Sequence, residues 1–348
     1  MGALSDVVVL ELATGVAGPY VGRVFADLGA RVVKVEPPGG DRIRREEPLV
    51  EGESAFFNWL NAGKECSELA LEDPGIDELA AMAHIIVHTE RGPAGDELDA
   101  RLKADNPDAV IVSLSPYGRS GERAGWRASP LTEWATGGYH YFGGAPDREP
   151  IALPGYQAEF HAGMHAAVGA LAALWHARDG GEGQVVEVSH QEAVLSDHSW
   201  LVSSWTHQGK VQGRTGSMYA KCADGFIFLF NLVPYPNLFA LMERFDLLED
   251  ESLQVPSEWW ARWPEVLAAF GEWAATRTKQ EVYHACQELR IAASPVNTMA
   301  DVAASEQLAA REWFGSVEVG GRTVMGPGLP FPVSSVDSAS ATHTLPDG

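Results

Sequence analysis

The first forty residues alternate between two hydrophobic patterns that require different elements. Val7 to Leu10 is a β-branched run of strand length. A glycine-containing turn follows over Ala13 to Pro19, with Pro19 placed where the first turn of a helix tolerates it. Tyr20 to Leu28 carries apolar residues at helical spacing, and Gly29 sits at the position of a C-terminal cap. Arg31 to Val35 is the second strand. Two strands joined by one helix predict a parallel pair with a right-handed crossover.

The alternation continues less regularly. Helical Asp77 to Ala83 leads into strand His84 to His88, and helical Asp96 to Lys103 into strand Ala109 to Leu114. Met164 to His176 is Ala-rich and apolar on most sides, which predicts a helix buried in the core or an interface. Gln184 to Val188 is a further strand, and Gln191 to Ser204 a helix. The pattern is that of an α/β protein with a doubly wound, Rossmann-like sheet. After about Gly209 the texture changes. The stretch from His207 to Ser217 is Gly-rich and polar, a hinge into a second, smaller α+β region. There Phe226 to Leu232 is strand-like, followed by helices near Asn237–Phe245, Glu265–Thr276 and Lys279–Leu289, and a hairpin over Ser316–Met325. The expected division is 1–208 for the large domain, 209–305 for the small one, and 306–348 for a return to the large domain and a tail. That tail, Ser/Ala-rich from Val336, is expected to be mobile or cut short. No internal repeat is present.

Charge and cysteine content narrow the function. Lys and Arg number 25 against 48 Asp and Glu, a net of −23, which is hostile to a nucleic-acid backbone. Any anionic ligand must be met by short clusters such as Arg42, Arg44 and Arg45. Cys66, Cys222 and Cys286 lie far apart, with no CxxC and no histidine pair at metal spacing. This points to a reducing compartment, with no disulfide framework and no metal site. No apolar run approaches the ~18 residues of a membrane span, and the N-terminus lacks the features of a signal peptide. A cytoplasmic globular protein is expected.

Several chemistries can be weighed directly. Gly15 and Gly18 between a strand and a helix, with Glu36 ending the next strand, mimic a dinucleotide fingerprint. The spacing is GxxG, however, and Pro19 has no N–H for a pyrophosphate, so a tight structural turn is preferred. GxSxG and HExxH are both absent, which removes the common serine-hydrolase and zinc signatures. Trp259, Trp260, Trp263 and Trp273 at that spacing fit core or dimer contact better than a ligand cage. Glu159 stands out because it lies immediately before the long apolar helix. A helix N-terminus there favours an ionised carboxylate. Such a group can act as a nucleophile toward an activated acyl group, although spacing alone favours the plainer role of complementing the dipole.

Taken together in order, several stretches resemble the class III CoA-transferase (CaiB/BaiF) family. They are VVVLELATGVAGPYVGRVFADLGARVVKVEPPGGD, FFNWLNAGKECSELAL, NPDAVIVSLSPYGRSGE, HAGMHAAVGALAAL, GQVVEVSHQEAVL and ASPVNTMADV, and together they span about residues 5–335. The resemblance implies a Rossmann-like large domain, a small domain from the middle-to-late segment, and two ring-shaped protomers interlocked into a dimer. It implies coenzyme A or an acyl-CoA as substrate, with no tightly bound cofactor. In transferases of this family an Asp attacks the donor thioester to form an anhydride. The CoA thiolate then converts that into an enzyme-bound thioester, which the acceptor carboxylate resolves. The position matching that Asp here is Glu159, one methylene longer.

The same resemblance marks the coenzyme-binding positions. Val16 stands where the family has Gln or Arg, beside Ala17. Pro38 replaces a basic residue after the second strand, and Thr89, Glu90 and Arg91 occupy the segment that is Asn-Phe and a following turn elsewhere. Asn61 and Lys64 match the family, and Arg42 and Arg44 supply local cations. Gly209–Ser217 loosely resembles a mobile glycine loop. Racemases of the family use a His that matches Ser129 and a further acid that matches Val233, so that route is not expected. The resulting expectation is an acyl-CoA:carboxylate CoA-transferase acting on small carboxylates through Glu159. The alternatives are an impaired CoA-binding subunit of a heteromer whose Asp-bearing paralogue carries the nucleophile, or an acyl-CoA isomerase or lyase. A homodimer is expected, or a heterodimer with that paralogue.

Overall fold

Strand β1 (Val8–Glu11), helix α1 (Ala17–Asp27) and strand β2 (Arg31–Glu36) form the opening βαβ unit in the computed structural model, which describes residues 2–214, 216–230, 234–331 and 333. A two-residue ladder of β3 (Leu49–Val50) and β4 (Glu53–Ser54) precedes α2 (Ala55–Asn61), capped by the Ser54 hydroxyl. Then follow β5 (Glu65–Glu68), α3 (Gly75–Met82), β6 (Ile85–His88), α4 (Gly92–Asp105) and β7 (Val110–Ser115). Helix α5 (Pro130–Thr136) leads to the long α6 (Gln157–Arg178), then β8 (Val185–Ser189), α7 (His190–Ser196) and α8 (Ser199–Gln208).

The six sheet strands pair in parallel in the order β5-β2-β1-β6-β7-β8. Numbered along the sheet-forming strands alone, this is 3-2-1-4-5-6, the doubly wound arrangement. Ile85, Ile86, Val87, Val110, Ile111 and Val112 are fully buried, as expected for strands covered on both faces. Helices α1 and α6 pack together on one face with Val21, Phe25, Ala162, Ala166 and Ala170 between them and the sheet. Ile76, Ala80, Leu98 and Leu102 from α3 and α4 cover the other. The contact of α1 with α6 is close. A Cβ added at Gly163 would lie 2.7 Å from the Ala17 carbonyl oxygen and 3.1 Å from the Tyr20 ring.

The described residues divide into two compact units. The first takes in those of Met1–Gly143, Pro150–Gln212 and Gln307–Gly348, the second Gly144–Glu149 and Gly213–Glu306. The second unit holds an antiparallel sheet of β9 (Tyr219–Cys222), β10 (Gly225–Leu229) and β11 (Ala293–Val296), with β10 central. Its core joins Ile227 and Leu229 to Trp259, Trp263, Val266 and Phe270. Trp259 and Trp263 are thus core residues, while Trp260 stays exposed. In the first unit the late hairpin is β12 (Phe314–Val319) with β13 (Arg322–Pro327).

Three boundaries differ from the sequence reading in ways that matter. Helix α6 starts at Gln157, seven residues before the predicted Met164, because Ala158 and Ala162 already bury against the core. Glu159 therefore lies inside the first turn and not ahead of it. The helix predicted over Gln191–Ser204 is two helices broken at Asp197 and His198. Helix Asn237–Phe245 is likewise two pieces, Pro236–Leu241 and Phe245–Leu248, separated by Glu243 at φ 57°. Leu232, Val233, Thr215 and the tail from Val336 lie outside the described residues.

Candidate active site

Doubly wound sheets open a crevice beyond the C-terminal ends of the strands flanking the reversal in strand order. Here those strands are β1 and β6. The Gly15 N–H donates to both Asp41 carboxylate oxygens, at 3.2 and 3.1 Å, and the Thr14 N–H reaches Thr89 Oγ1 at 3.4 Å. Gly15 has φ +84°, a left-handed conformation that suits glycine, and this lets the chain reverse into α1. A Cβ at Gly18 would meet Ala13 Cβ at 2.2 Å, so this glycine serves close packing. The tight-turn reading of the two glycines fits these contacts.

Beneath the turn lies a fully buried ionic cluster. Glu11 and Lys34 are register partners on β1 and β2, bonded at 3.0 Å. Lys34 Nζ also donates to the Ala13 carbonyl at 3.0 Å and to Asp41 at 3.3 Å. Lys64 Nζ donates to Glu11 Oε2 at 2.8 Å, Asn61 Oδ1 at 2.8 Å and the Pro19 carbonyl at 2.7 Å. Burial alone would raise the Glu11 carboxyl, but the two ammoniums outweigh it and hold it below its ordinary value. Burial, with Lys34 alongside, pushes Lys64 down to about 8 against the pull of Glu11. Every N–H of Lys64 is spent inside the protein, so this residue offers no donor to a phosphate.

Glu159 has a different environment. It is 6% exposed, and its Oε2 has no hydrogen-bond partner. Glu133, on α5, is near enough for its like charge to bear on it. Glu133 Oε1 in turn bonds His190 Nδ1 at 2.8 Å, from the first residue of α7. Ser129 places α5 here as its N-cap, with Thr132 completing a capping box, so Ser129 is committed to structure. Burial first, and then the like charge of Glu133, raise the Glu159 carboxyl to about 8. The Glu159 backbone N–H and the Arg42 guanidinium oppose this but do not prevail. The expectation that the helix N-terminus keeps Glu159 ionised is thereby corrected.

The predicted coenzyme residues fall into two sets. Val16 and Ala17 lie buried at the start of α1, and Thr89, Glu90 and Arg91 follow β6, so the topology brings these five to the β1–β6 crevice. His88 shapes the second loop. Its Nδ1 accepts the Glu90 N–H at 3.2 Å, so the proton is on Nε2, which donates to Asp99 at 2.7 Å. Arg42 is exposed, and a Cβ on Gly15 would lie 3.3 Å from its Nη2; its guanidinium sits 5.9 Å from the Tyr156 ring centre. Tyr156 is anchored by Glu46 at 2.8 Å. Arg44 is spent on Glu36, bonded at 2.7 and 2.6 Å, and lies over the Phe57 ring. Pro38 is exposed on the loop after β2, while Asn61 is buried with Lys64.

Sequence reasoning did not single out Glu133 or His190. Neither has a local signature, since each is one polar residue in an ordinary short helix. Among the described residues no group of three or more His, Cys, Asp or Glu has the arrangement of a metal site. None of their helices is long and apolar enough to cross a membrane.

Comparison with known proteins agrees with this geometry. The model of CoA-transferase family III matches residues 4–347. The chain is 30% identical to the succinyl-CoA:(R)-benzylsuccinate CoA-transferase subunit BbsE of Thauera aromatica, covering 91% of this chain and 85% of that one. It is 31% identical to the succinyl-CoA:mesaconate CoA-transferase of Haloarcula hispanica, with 91% and 86% covered. A CaiB/BaiF family protein from Brucella suis superimposes with a TM-score of 0.88 at 26% identity, over 99% of this chain and 96% of that one.

Proposed function

The chain belongs to CoA-transferase family III and is a CoA-transferase, and from that premise we propose that it moves coenzyme A from an acyl-CoA to a small carboxylate through a covalent intermediate on Glu159. One observation carries this reading: a carboxylate buried to 6% exposure whose Oε2 is left without a partner. Burying such a group unsatisfied costs about 1–3 kcal/mol or more, which a substrate atom at that oxygen would recover.

In the proposed reaction Glu159 Oε2 attacks the thioester carbonyl carbon. The C–S bond breaks and CoA leaves as its thiolate, giving an acyl-glutamyl anhydride. The thiolate then attacks the Glu159 carbonyl carbon, releasing the donor acid and leaving a glutamyl-CoA thioester. The acceptor carboxylate attacks that thioester, and the returning thiolate takes the new acyl group. Coenzyme A would lie across the β1–β6 crevice, over Val16, Ala17, Thr89, Glu90 and Arg91, with its sulfur toward Glu159. Pro38 flanks that crevice without a charge.

The substrate class follows from Arg42. Its charge bears on Glu159, its guanidinium lies 5.9 Å from the Tyr156 ring centre, and it makes no salt bridge among the described residues. A guanidinium so placed suits a second carboxylate by a two-point contact. We assign it to the distal carboxylate of a dicarboxylic acyl-CoA such as succinyl-CoA, the donor named for the Thauera and Haloarcula relatives.

The test is chemical. Protein mixed with succinyl-CoA and trapped with hydroxylamine or borohydride should carry a modification on the peptide containing Glu159. Unchanged exchange in Glu159→Gln would overturn the assignment. A second reading, a heteromer with an Asp-bearing paralogue, is favoured by the longer side chain at this position and by relatives named as subunits. It predicts no trapping until that paralogue is added. Helices α6 and α8 leave Val168, Trp175, Trp200, Val202 and Trp205 exposed, which supports association with a second, interlocked protomer. Light scattering that found a folded monomer would refute it.

A further inference from the structure

The loop after β6 is anchored through one histidine. His88 is fully buried and both of its ring nitrogens are committed: Nδ1 accepts the Glu90 N–H at 3.2 Å, and Nε2 donates to Asp99 Oδ1 at 2.7 Å. An imidazolium would set a second donor against the Glu90 N–H, so this bond fixes the neutral ring with its proton on Nε2. Asp99, on α4, is itself 7% exposed and takes Arg119 Nη1 on its other oxygen. Arg119 reaches Asp96 with Nη2, and its backbone N–H donates to Glu187 on β8 at 2.6 Å. Ser113, the register partner of His88 on β7, makes no hydrogen bond with its hydroxyl, so it does not compete for the ring.

The Glu90 backbone is held from its other side as well. A Cβ added at Gly95 would lie 2.8 Å from the Glu90 carbonyl oxygen, so the first turns of α4 rest directly on that peptide. The next residue, Arg91, donates through Nη1 to the Trp126 carbonyl at 3.0 Å. Thr89, Glu90 and Arg91 are partly exposed, whereas His88 is not. A molecule in the crevice therefore meets the loop and never the ring that holds it.

We propose that His88 is a positioning residue for the coenzyme: by holding the Glu90 N–H, oriented by Asp99 and Arg119, it fixes the backbone on which coenzyme A lies and so sets the affinity without touching the ligand. The inference rests on the reading that the coenzyme lies over Thr89, Glu90 and Arg91. A loop already held in its bound conformation loses less entropy when the ligand arrives, which raises affinity. The two nitrogens have separable effects. Nδ1 faces the loop and governs binding, while Nε2 faces α4 and governs stability.

The experiment compares wild type, His88→Gln and His88→Asn by calorimetry with free coenzyme A, beside denaturant melts and succinyl-CoA exchange. A glutamine amide N–H can stand where Nε2–H stands, which keeps Asp99 paired but leaves the Glu90 N–H without its acceptor. An asparagine Oδ1 can stand where Nδ1 stands, which keeps the Glu90 bond but is too short to reach Asp99. His88→Gln should raise the coenzyme Kd and KM for succinyl-CoA roughly three- to ten-fold, with kcat within about two-fold. His88→Asn should unfold at lower denaturant yet bind coenzyme A within about two-fold of wild type. Affinities that track stability across the two variants, or that match wild type in both, overturn the proposal. Amide exchange of wild type tests the underlying reading separately. Coenzyme A should slow exchange over residues 89–95, and no protection there would refute the coenzyme's placement itself. Should neither variant fold, 15N-histidine spectra of wild type decide the matter. Saturation with coenzyme A should shift the Nδ1 signal of one buried Nε2–H imidazole, and an unmoved spectrum refutes the role given to His88.

Discussion

The first unit buries two charged clusters that follow opposite rules. Around Glu11, two carboxylates meet two ammoniums, and Lys34 and Lys64 spend their donors on named acceptors. Around Glu159, two carboxylates meet each other and one imidazole, and three atoms are left unpaired. The first arrangement lowers the carboxyl of Glu11, and the second raises that of Glu159 to about 8. A fully satisfied cluster fixes a backbone turn. An unsatisfied one leaves buried polar atoms unpaired, which the proposed function gives to the substrate.

The sharpest way to break the comparison is to neutralise one carboxylate in the unsatisfied cluster. Glu159→Gln should cost on the order of 10⁴-fold or more in exchange while the protein remains folded, since the amide cannot form the anhydride. Denaturant melts beside initial rates check both halves. Breaking the satisfied cluster should do the reverse. Lys64→Met leaves Glu11 with one fewer cation and should destabilise by about 3–5 kcal/mol, read as a fall in denaturation midpoint. Gly22→Ala attacks the same site sterically, because its Cβ would lie 1.9 Å from Glu11 Oε2.

pH separates the clusters without mutation. Glu159 holds a proton in the fold that the unfolded chain loses above about 4.5, so its stabilisation is full below that value and is lost as pH rises through about 8. Glu11, held below its ordinary value, contributes in the opposite sense, losing its stabilisation as acid protonates it. Thermal melts of wild type should therefore lose stability between about pH 5 and pH 8.5, and Glu159→Gln should flatten that slope. The smallest effect belongs to Arg42. Arg42→Gln should raise KM for succinyl-CoA about ten-fold, roughly 1.4 kcal/mol, and leave KM for a monocarboxylic thioester nearly unchanged.

Strands and long helices were legible because each carries its own period. Val7–Leu10 and Arg31–Val35 predicted β1 and β2 to within a residue, and the parallel α/β core followed. Helix ends were not, where no cap marks them. Tyr156 makes no side-chain cap for α6, so the pattern alone started that helix too late. Glu159 was legible as a position and not as a charge. A helix terminus contributes up to ~2 kcal/mol to a carboxylate. A rise from 4.5 to about 8 is on the order of 5 kcal/mol, at ~1.4 for each unit. That difference comes first from burial and then from Glu133, which is 26 residues away in sequence and approaches only through the fold. Lys64 matched its family segment, yet the fold places its ammonium inward.

The approach of α1 to α6 at Gly163 acts as a gauge block. One helix opens at the turn proposed for the coenzyme, and the other carries Glu159 four residues before that glycine. With 2.7 Å between the notional Cβ and the Ala17 carbonyl, the spacing between the start of α1 and the turn that carries Glu159 is set by a missing carbon atom. Gly163→Ala would reset this spacing while leaving every residue that contacts substrate intact. Its signature would be slower turnover with the free coenzyme still bound, a fault in alignment with no missing part.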